Sequence, residues 1–205
     1  MQPIKRPSIG ETAWISQAQK GDAEAFTALV EAYQQPVYNF CRRMLGDSDA
    51  AEDAAQETFL RVYQHLAAYD PRRPFGTWLL AIAAHHCIDR LRRQRAIHFS
   101  LDGEETQDAR YPDLQAVDPE EETARRLTCE RLYRLLPSLD PLQRAILVLR
   151  YWQHAPESEI ACALHLSVPA VRSRLHRARR ALAHLWAREY IIPCMGIGAH
   201  GSEVF

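Results

Sequence analysis

The sequence predicts an all-α protein: two small helical domains joined by a flexible acidic linker, the second carrying a helix-turn-helix. Three observations carry this prediction. No Val/Ile/Thr-rich run alternates polar and apolar residues, so strand signals are almost absent. Helix-starting signatures recur at Gly21-Asp22, Gly46-Asp47-Ser48 and Asp140-Pro141-Leu142-Gln143. Between His98 and Asp118 the apolar periodicity collapses into Asp- and Glu-rich sequence containing Pro112, the mark of a solvated segment between domains. A chain of 205 residues, 47% hydrophobic and 25% charged, can bury a core without disulfides or metals, and its composition excludes bulk disorder.

In chain order, Gly21-Asp22 closes one short helix and caps the next, which reaches about Leu45 with Pro36 as a kink or break. A helix from Ser48 to about Ala68 places Ala51, Ala55, Phe59, Val62 and Leu66 on one stripe. Tyr69 to Pro74 reads as a Pro-bounded loop, and helix resumes from about Phe75 to Arg95. After the linker, Asp118-Pro119-Glu120-Glu121 supplies a cap, a first-turn proline and a capping-box Glu. The expected divisions are a first domain at 11–97, the linker at 98–118, a second domain at 119–188 and a tail at 189–205. The tail is apolar and Gly-containing, with Cys194 and Met195, and reads either as frayed or as a docking segment.

A net charge of −1 argues at first against a nucleic-acid partner, but the charge is arranged in blocks. Ala84 to Ile97 holds four Arg against Asp89; His98 to Ala124 holds nine acidic residues against Arg110; Val168 to Tyr190 holds six Arg against Glu189. Basic, acidic and basic blocks in succession speak about partners where the mean does not. The five cysteines show no two-residue spacing, so neither a zinc knuckle nor a disulfide framework is indicated, and a reducing cytoplasm suits them. The longest apolar run, near Tyr190 to Ala199, is broken by Pro193 and too short to span a bilayer, so no membrane insertion is expected.

Glu157 to His184 carries the sharpest local pattern. Ile160, Ala161 and Leu164 face inward on a short helix, Leu166 plugs a turn, and Ser167 caps a long basic helix with Pro169 in its first turn. His165 occupies the turn position most often given to Gly, which requires a left-handed backbone. Val168, Val171, Leu175, Ala178, Leu182 and Leu185 then form one unbroken apolar stripe. Opposite it, within about 40° of the outward pole, lie Pro169, Ser173, His176 and Arg180, with Arg172 and Arg177 on the shoulders. Such a set on one helix suits base reading in a major groove; a basic face that is merely solvated is the plainer alternative. Arg174 and Arg179 flank the stripe, with stems on the core and heads free for phosphate or a carboxylate.

On the 75–95 helix, Leu80, Ala84, Cys87, Ile88 and Leu91 form a core face. The other face carries Trp78, Ile82, His85, His86, Asp89, Arg92 and Arg93. Two readings are open: an aromatic and His residues stacking on unpaired bases among guanidiniums, or Trp78 and Ile82 packing beneath preceding helices.

Taken together, Asp53 to Tyr63 (DAAQETFLRVY), Phe75 to Leu79 (FGTWL) and Asp89 to Arg93 (DRLRR) resemble the first domain of extracytoplasmic-function (ECF) sigma factors of the sigma-70 family. Leu136 to Pro141 (LPSLDP), Glu159-Ile160-Ala161 and Ser167 to Arg179 (SVPAVRSRLHRAR) resemble the second. The resemblance spans roughly Thr12 to Arg188 and implies a non-enzymatic initiation subunit that brings bacterial core RNA polymerase to promoters, without cofactors. It implies that Asp53, Gln56, Glu57 and Arg61 dock on polymerase, although the first-turn acids Asp49, Glu52 and Asp53 also suit the helix dipole. It further implies that Arg72, Arg73, Phe75, Trp78, His85, Arg92 and Arg93 bind the melted −10 strand, with a base flipped from the stack. Ser167, Pro169, Arg172, Ser173, His176, Arg177 and Arg180 would bind the −35 duplex. The family commonly has Arg where Ala81 stands, Asn where His85 stands and Gly where Pro169 stands. Its members are often held by an anti-sigma partner.

Two rival classes compete with this reading. A metal site at His85-His86-Cys87 fails because successive helical residues point about 100° apart and cannot close on one ion. A helix-turn-helix regulator acting without polymerase would explain the second domain but leaves the Asp53–Glu57 set and the Trp78 face without a task.

Overall fold

The structure, a computed structural model, describes residues 9–100 and 121–191. Among these residues it contains eight α-helices and no strand. The first domain comprises α1 (Ile9–Ala18), α2 (Ala23–Leu45), α3 (Ser48–His65) and α4 (Phe75–Ser100). The second comprises α5 (Glu121–Leu135), α6 (Pro141–Tyr151), α7 (Glu157–Ala163) and α8 (Val168–Trp186).

The caps act where the residue types require them. The Asp22 carboxylate accepts from the Glu24 and Ala25 amides, Asp47 from Ala50, and Asp140 from Leu142 and Gln143. Each satisfies backbone donors that have no partner inside the helix. Gly46 ends α2 in the left-handed region at φ 80°, its N–H donating to the Arg42 carbonyl. Pro36 does not break α2, which continues unbroken through it. Buried Tyr33, Val37, Phe40 and Cys41 fasten the helix on both sides of the proline, and that packing outweighs the missing amide. The α-helical part of α3 stops at His65, with a 3₁₀ turn from Leu66 to Ala68 completing the expected span. α4 runs to Ser100, past both the expected end at Arg95 and the start of the expected linker. Linker residues 101–120, including Asp118 and Pro119 of the expected cap, and tail residues 192–205, with Cys194, lie outside the described residues.

The first-domain core forms where α2, α3 and α4 meet, around Leu29, Val37, Phe40, Met44, Val62, Leu79 and Ala83. The buried side of α4 is wider than one stripe: Leu79, Leu80, Ala81, Ala83, Ala84, Cys87 and Ile88 are all buried. One helix needs that much cover because it is held between α2 and α3 on one side and α6 and α7 on the other. The apolar cluster of the first domain therefore continues into Ala145, Ile146, Val148, Leu149, Ile160, Val171 and Leu175 of the second. A satellite cluster of Leu135, Leu136, Leu139, Leu147, Ala178 and Leu182 closes the far side of the second domain.

Polar contacts seal the same boundary. Arg144 of α6 is 2% exposed and donates to the carbonyls of Met44, at the end of α2, and of Pro137. Arg95 Nη2 donates to the Leu139 carbonyl at 3.2 Å. Arg43 Nε donates to the Tyr133 hydroxyl at 3.2 Å, with its guanidinium carbon 5.5 Å from the ring centroids of both Tyr133 and Trp152.

Candidate polymerase and promoter interfaces

Three surfaces follow from this packing. On α3, burial of Ala51, Ala54, Ala55, Thr58 and Val62 turns Asp53, Gln56 and Leu60 outward, with Glu57 at the margin. Asp53 keeps a side chain 71% exposed although it lies 3.8 Å from Arg90 of α4. Glu57 accepts from Arg61 Nε at 2.7 Å, and that bond holds its carboxyl below the usual carboxylate range. Sequence reading missed two neighbours on this surface, Leu60 and Tyr63, each 60% exposed. Their signal was a large apolar residue off the buried stripe and beside the acidic set, a combination that marks a protein-binding face.

The second surface lies at the start of α4. Phe75 is 1% exposed, edge-on to Tyr33 and Tyr69 with centroids 5.3 Å away and 5.7 Å from Trp78. This corrects the expectation that Phe75 touches DNA: it is the aromatic anchor that sets the loop before α4, and it has no face left for a base. Trp78 is half-buried against Tyr69, at a centroid distance of 4.9 Å, and beside Ile82 on the rim of a cavity. Trp78 thus packs on the loop before α4 and keeps an edge toward open space. Arg72 and Arg73 are exposed; Arg72 pairs with Asp70 at 3.0 Å, which pulls the Asp70 carboxyl below its ordinary range. His85 bonds the Ala81 carbonyl through Nδ1 at 2.8 Å, which fixes its ring against α4. Arg92 and Arg93 are exposed farther along the helix. His86 turns instead toward α3: burial and the nearby Arg61 lower its pKa from the ordinary histidine value. No group of His, Cys, Asp and Glu able to hold a metal occurs among the described residues.

The third surface is the helix-turn-helix. Ile160, Ala161 and Leu164 are buried, and His165 adopts φ 54°, the left-handed conformation the turn requires. The Ser167 hydroxyl accepts from the Ala170 amide at 3.3 Å, and Val171, Leu175, Ala178 and Leu182 are buried beneath α8. Pro169, Arg172, Ser173, His176, Arg177 and Arg180 are all exposed on one side, as is Ser167 at its start. Arg172 is held by Glu157 of α7, Nε to Oε2 at 2.6 Å. Arg179, off that face, reaches the Tyr151 hydroxyl at 3.3 Å.

One domain thus exposes an acid–amide–apolar face and the other a basic helix-turn-helix face. Residues 29–97 match the Sigma-70 region 2 family, and residues 129–182 match Sigma-70, region 4. The chain is 35% identical over 173 residues to the ECF RNA polymerase sigma factor SigW of Bacillus subtilis (strain 168), covering 82% of this chain and 92% of SigW. It belongs to the ECF sigma factors of the sigma-70 family. SigX of the same organism is 33% identical over 78% of this chain and 82% of its own. The solved structure of CnrH in complex with the cytosolic domain of CnrY superposes with a TM-score of 0.62 at 26% identity, over 88% of this chain and 99% of CnrH. As an ECF sigma factor the chain directs core RNA polymerase to promoters and initiates transcription. No helix among the described residues is long and apolar enough to cross a membrane.

Proposed function

We propose that the three surfaces divide the work of this sigma factor. The α3 face, with Asp53, Gln56, Glu57 and Arg61 joined by Leu60 and Tyr63, docks on core polymerase. An apolar centre flanked by carboxylates is suited to a basic helical partner that buries Leu60 and pairs with the acids at its rim. Arg72, Arg73, Trp78, His85, Arg92 and Arg93 capture the melted −10 strand, the guanidiniums holding phosphates and the Trp78 edge meeting an unpaired base. Ser167, Pro169, Arg172, Ser173, His176, Arg177 and Arg180 engage the −35 duplex in its major groove. The observation that supports this most is the co-occurrence, in one chain, of the exposed Asp53–Tyr63 face and the exposed Arg172–Arg180 face. A regulator without polymerase would need only the second.

No bond is made or broken by the protein in this role. Strand opening draws on binding free energy, so the protein acts without enzymatic activity of its own, in the cytoplasm beside polymerase. An anti-sigma protein is the expected regulatory partner, since the similar CnrH is seen bound to the cytosolic domain of CnrY. The test is reconstitution: purified chain added to bacterial core polymerase should give run-off transcription from promoters mapped by genome-wide binding, each with two unlike boxes. Absence of co-purification with polymerase, together with absence of specific transcripts, would reject the reading.

A further inference from the structure

The loop that carries Arg72 and Arg73 is held from a part of the chain that lies before the region 2 match. That match begins at residue 29, whereas α1 ends at Ala18. Gln19, the next residue, sends its side-chain Nε2 to the carbonyls of Leu66 and Tyr69, each at 3.0 Å. Both hydrogens of one amide group are thereby spent on the turn that opens the loop. The base of this side chain is itself fixed: the Gln19 amide donates to the Ile15 carbonyl at 2.9 Å, and Ile15 and Ala18 are buried.

A second tie from α1 reaches the other end of the loop. Glu11 accepts from the hydroxyl of buried Tyr33, whose ring stands edge-on to Phe75 at 5.3 Å. Inside the loop every bond leads back to Tyr69 or Asp70. The Tyr69 hydroxyl donates to the Arg73 carbonyl, the Arg73 amide donates to the Asp70 carbonyl at 3.0 Å, and the Arg72 amide to Asp70 Oδ1 at 3.0 Å. The Tyr69 carbonyl and the Asp70 amide belong to one rigid peptide plane. Rotating that plane carries Asp70 with it, and with Asp70 both arginines. A loop already held in its working shape loses less freedom when a strand settles on it.

We propose that Gln19 is a positioning residue for −10 capture, and that α1 braces the Tyr69–Pro74 loop. Gln19 acts through the Leu66 and Tyr69 carbonyls and touches no base itself. Leu66, Tyr69 and Phe75 are buried in the first-domain core, so the fold stands without the brace while the loop loses its fixed shape. This rests on the assignment of Arg72 and Arg73 to the −10 strand.

Two variants of the full chain test it. Gln19→Met keeps the length of the side chain and removes both donors; Gln19→Lys returns a donor of similar reach. In the free protein, amide exchange at Arg72 and Arg73 should quicken in the Met variant, recover in the Lys variant, and leave the protection of α3 and α4 unchanged. In holoenzyme, competitive run-off on promoters with one substituted −10 base should show preference at the loop-contacted position falling about threefold or more, the scale of one net hydrogen bond. Core affinity and −35 preference should stay at the parent values, and the Lys variant should regain much of the −10 preference. Unchanged exchange at Arg72 and Arg73 overturns the brace. An activity loss equal on every promoter, or one that Lys does not relieve, overturns the positioning role and leaves Gln19 a structural residue. Arg72→Ala and Arg73→Ala in the parent chain separate the two layers: if neither alters −10 preference, the assignment of the loop fails, and the exchange data alone decide whether α1 braces it.

Discussion

At the scale of single residues, Arg172 and Glu157 form an ion pair that holds one edge of an exposed guanidinium. The carboxylate takes the Nε edge at 2.6 Å, while the arginine side chain remains 68% exposed and the glutamate only 29%. The terminal amino fork is then free for a guanine edge or a phosphate, with part of its rotamer freedom already spent. Arg172→Ala should cost about 1–3 kcal/mol at the cognate −35 element, measured by titrating holoenzyme against duplexes with one substituted base pair. If Glu157 positions the fork, Glu157→Ala should relax preference at that same base pair, and add little once Arg172 is gone. Equal losses on every duplex would instead make Arg172 a phosphate contact. His165 offers a cleaner stability test, since its φ of 54° suits glycine better than any branched residue. His165→Gly should raise the unfolding free energy by up to about 1 kcal/mol in urea, with −35 affinity unchanged. That strain was readable from the turn pattern alone. The burial of Phe75 was not: its neighbours Tyr33 and Tyr69 come from another helix and a loop, and a motif seen along one strand of sequence gives no sign of them.

At the scale of elements, α3 and α8 were legible because each has one apolar stripe and one polar face. Burial of Ala51, Ala55, Val62, Val171, Leu175 and Leu182 settles which way every other residue points. α4 was only half legible. Leu79, Leu80, Ala81, Ile82, Ala83 and Ala84 surround the helix with apolar groups, so periodicity cannot say which side meets solvent and which a second layer. The exposed face of α3 yields a direct prediction. Asp53→Arg should abolish or strongly weaken core polymerase binding, while the helical circular dichroism signal is unchanged and the unfolding free energy in urea stays within about 0.5 kcal/mol of the parent, as is usual for an exposed position. The reversal also places two cations together, since Arg90 lies 3.8 Å from that carboxylate. Leu60→Glu should have the same binding phenotype without that local repulsion. Core affinity unchanged in both variants would remove α3 from the polymerase interface.

At the scale of the whole molecule, the question is whether two domains separated by an acidic stretch behave as one cooperative body. Charge order predicted the division, and the division is real in the sense that each half has its own helices and caps. What charge order could not reveal is a guanidinium from the second half placed beneath a helix end of the first. Nothing about Arg144 distinguishes it along the chain from the other arginines; only its 2% exposure and its acceptors Met44 and Pro137 do so. Arg144→Met keeps the apolar stem and removes the donors, leaving buried carbonyls on both sides of the boundary without this partner. The expected loss is about 1–3 kcal/mol of unfolding free energy. The informative readout is where that loss falls. If the continuous core couples the halves, amide exchange should accelerate at the end of α2, around Phe40 to Leu45, as well as in α6, although the substitution lies in α6 alone. Exchange that accelerates only in the second domain would mean that the boundary carries no stability, and that the shared core is a contact the two halves make without depending on it.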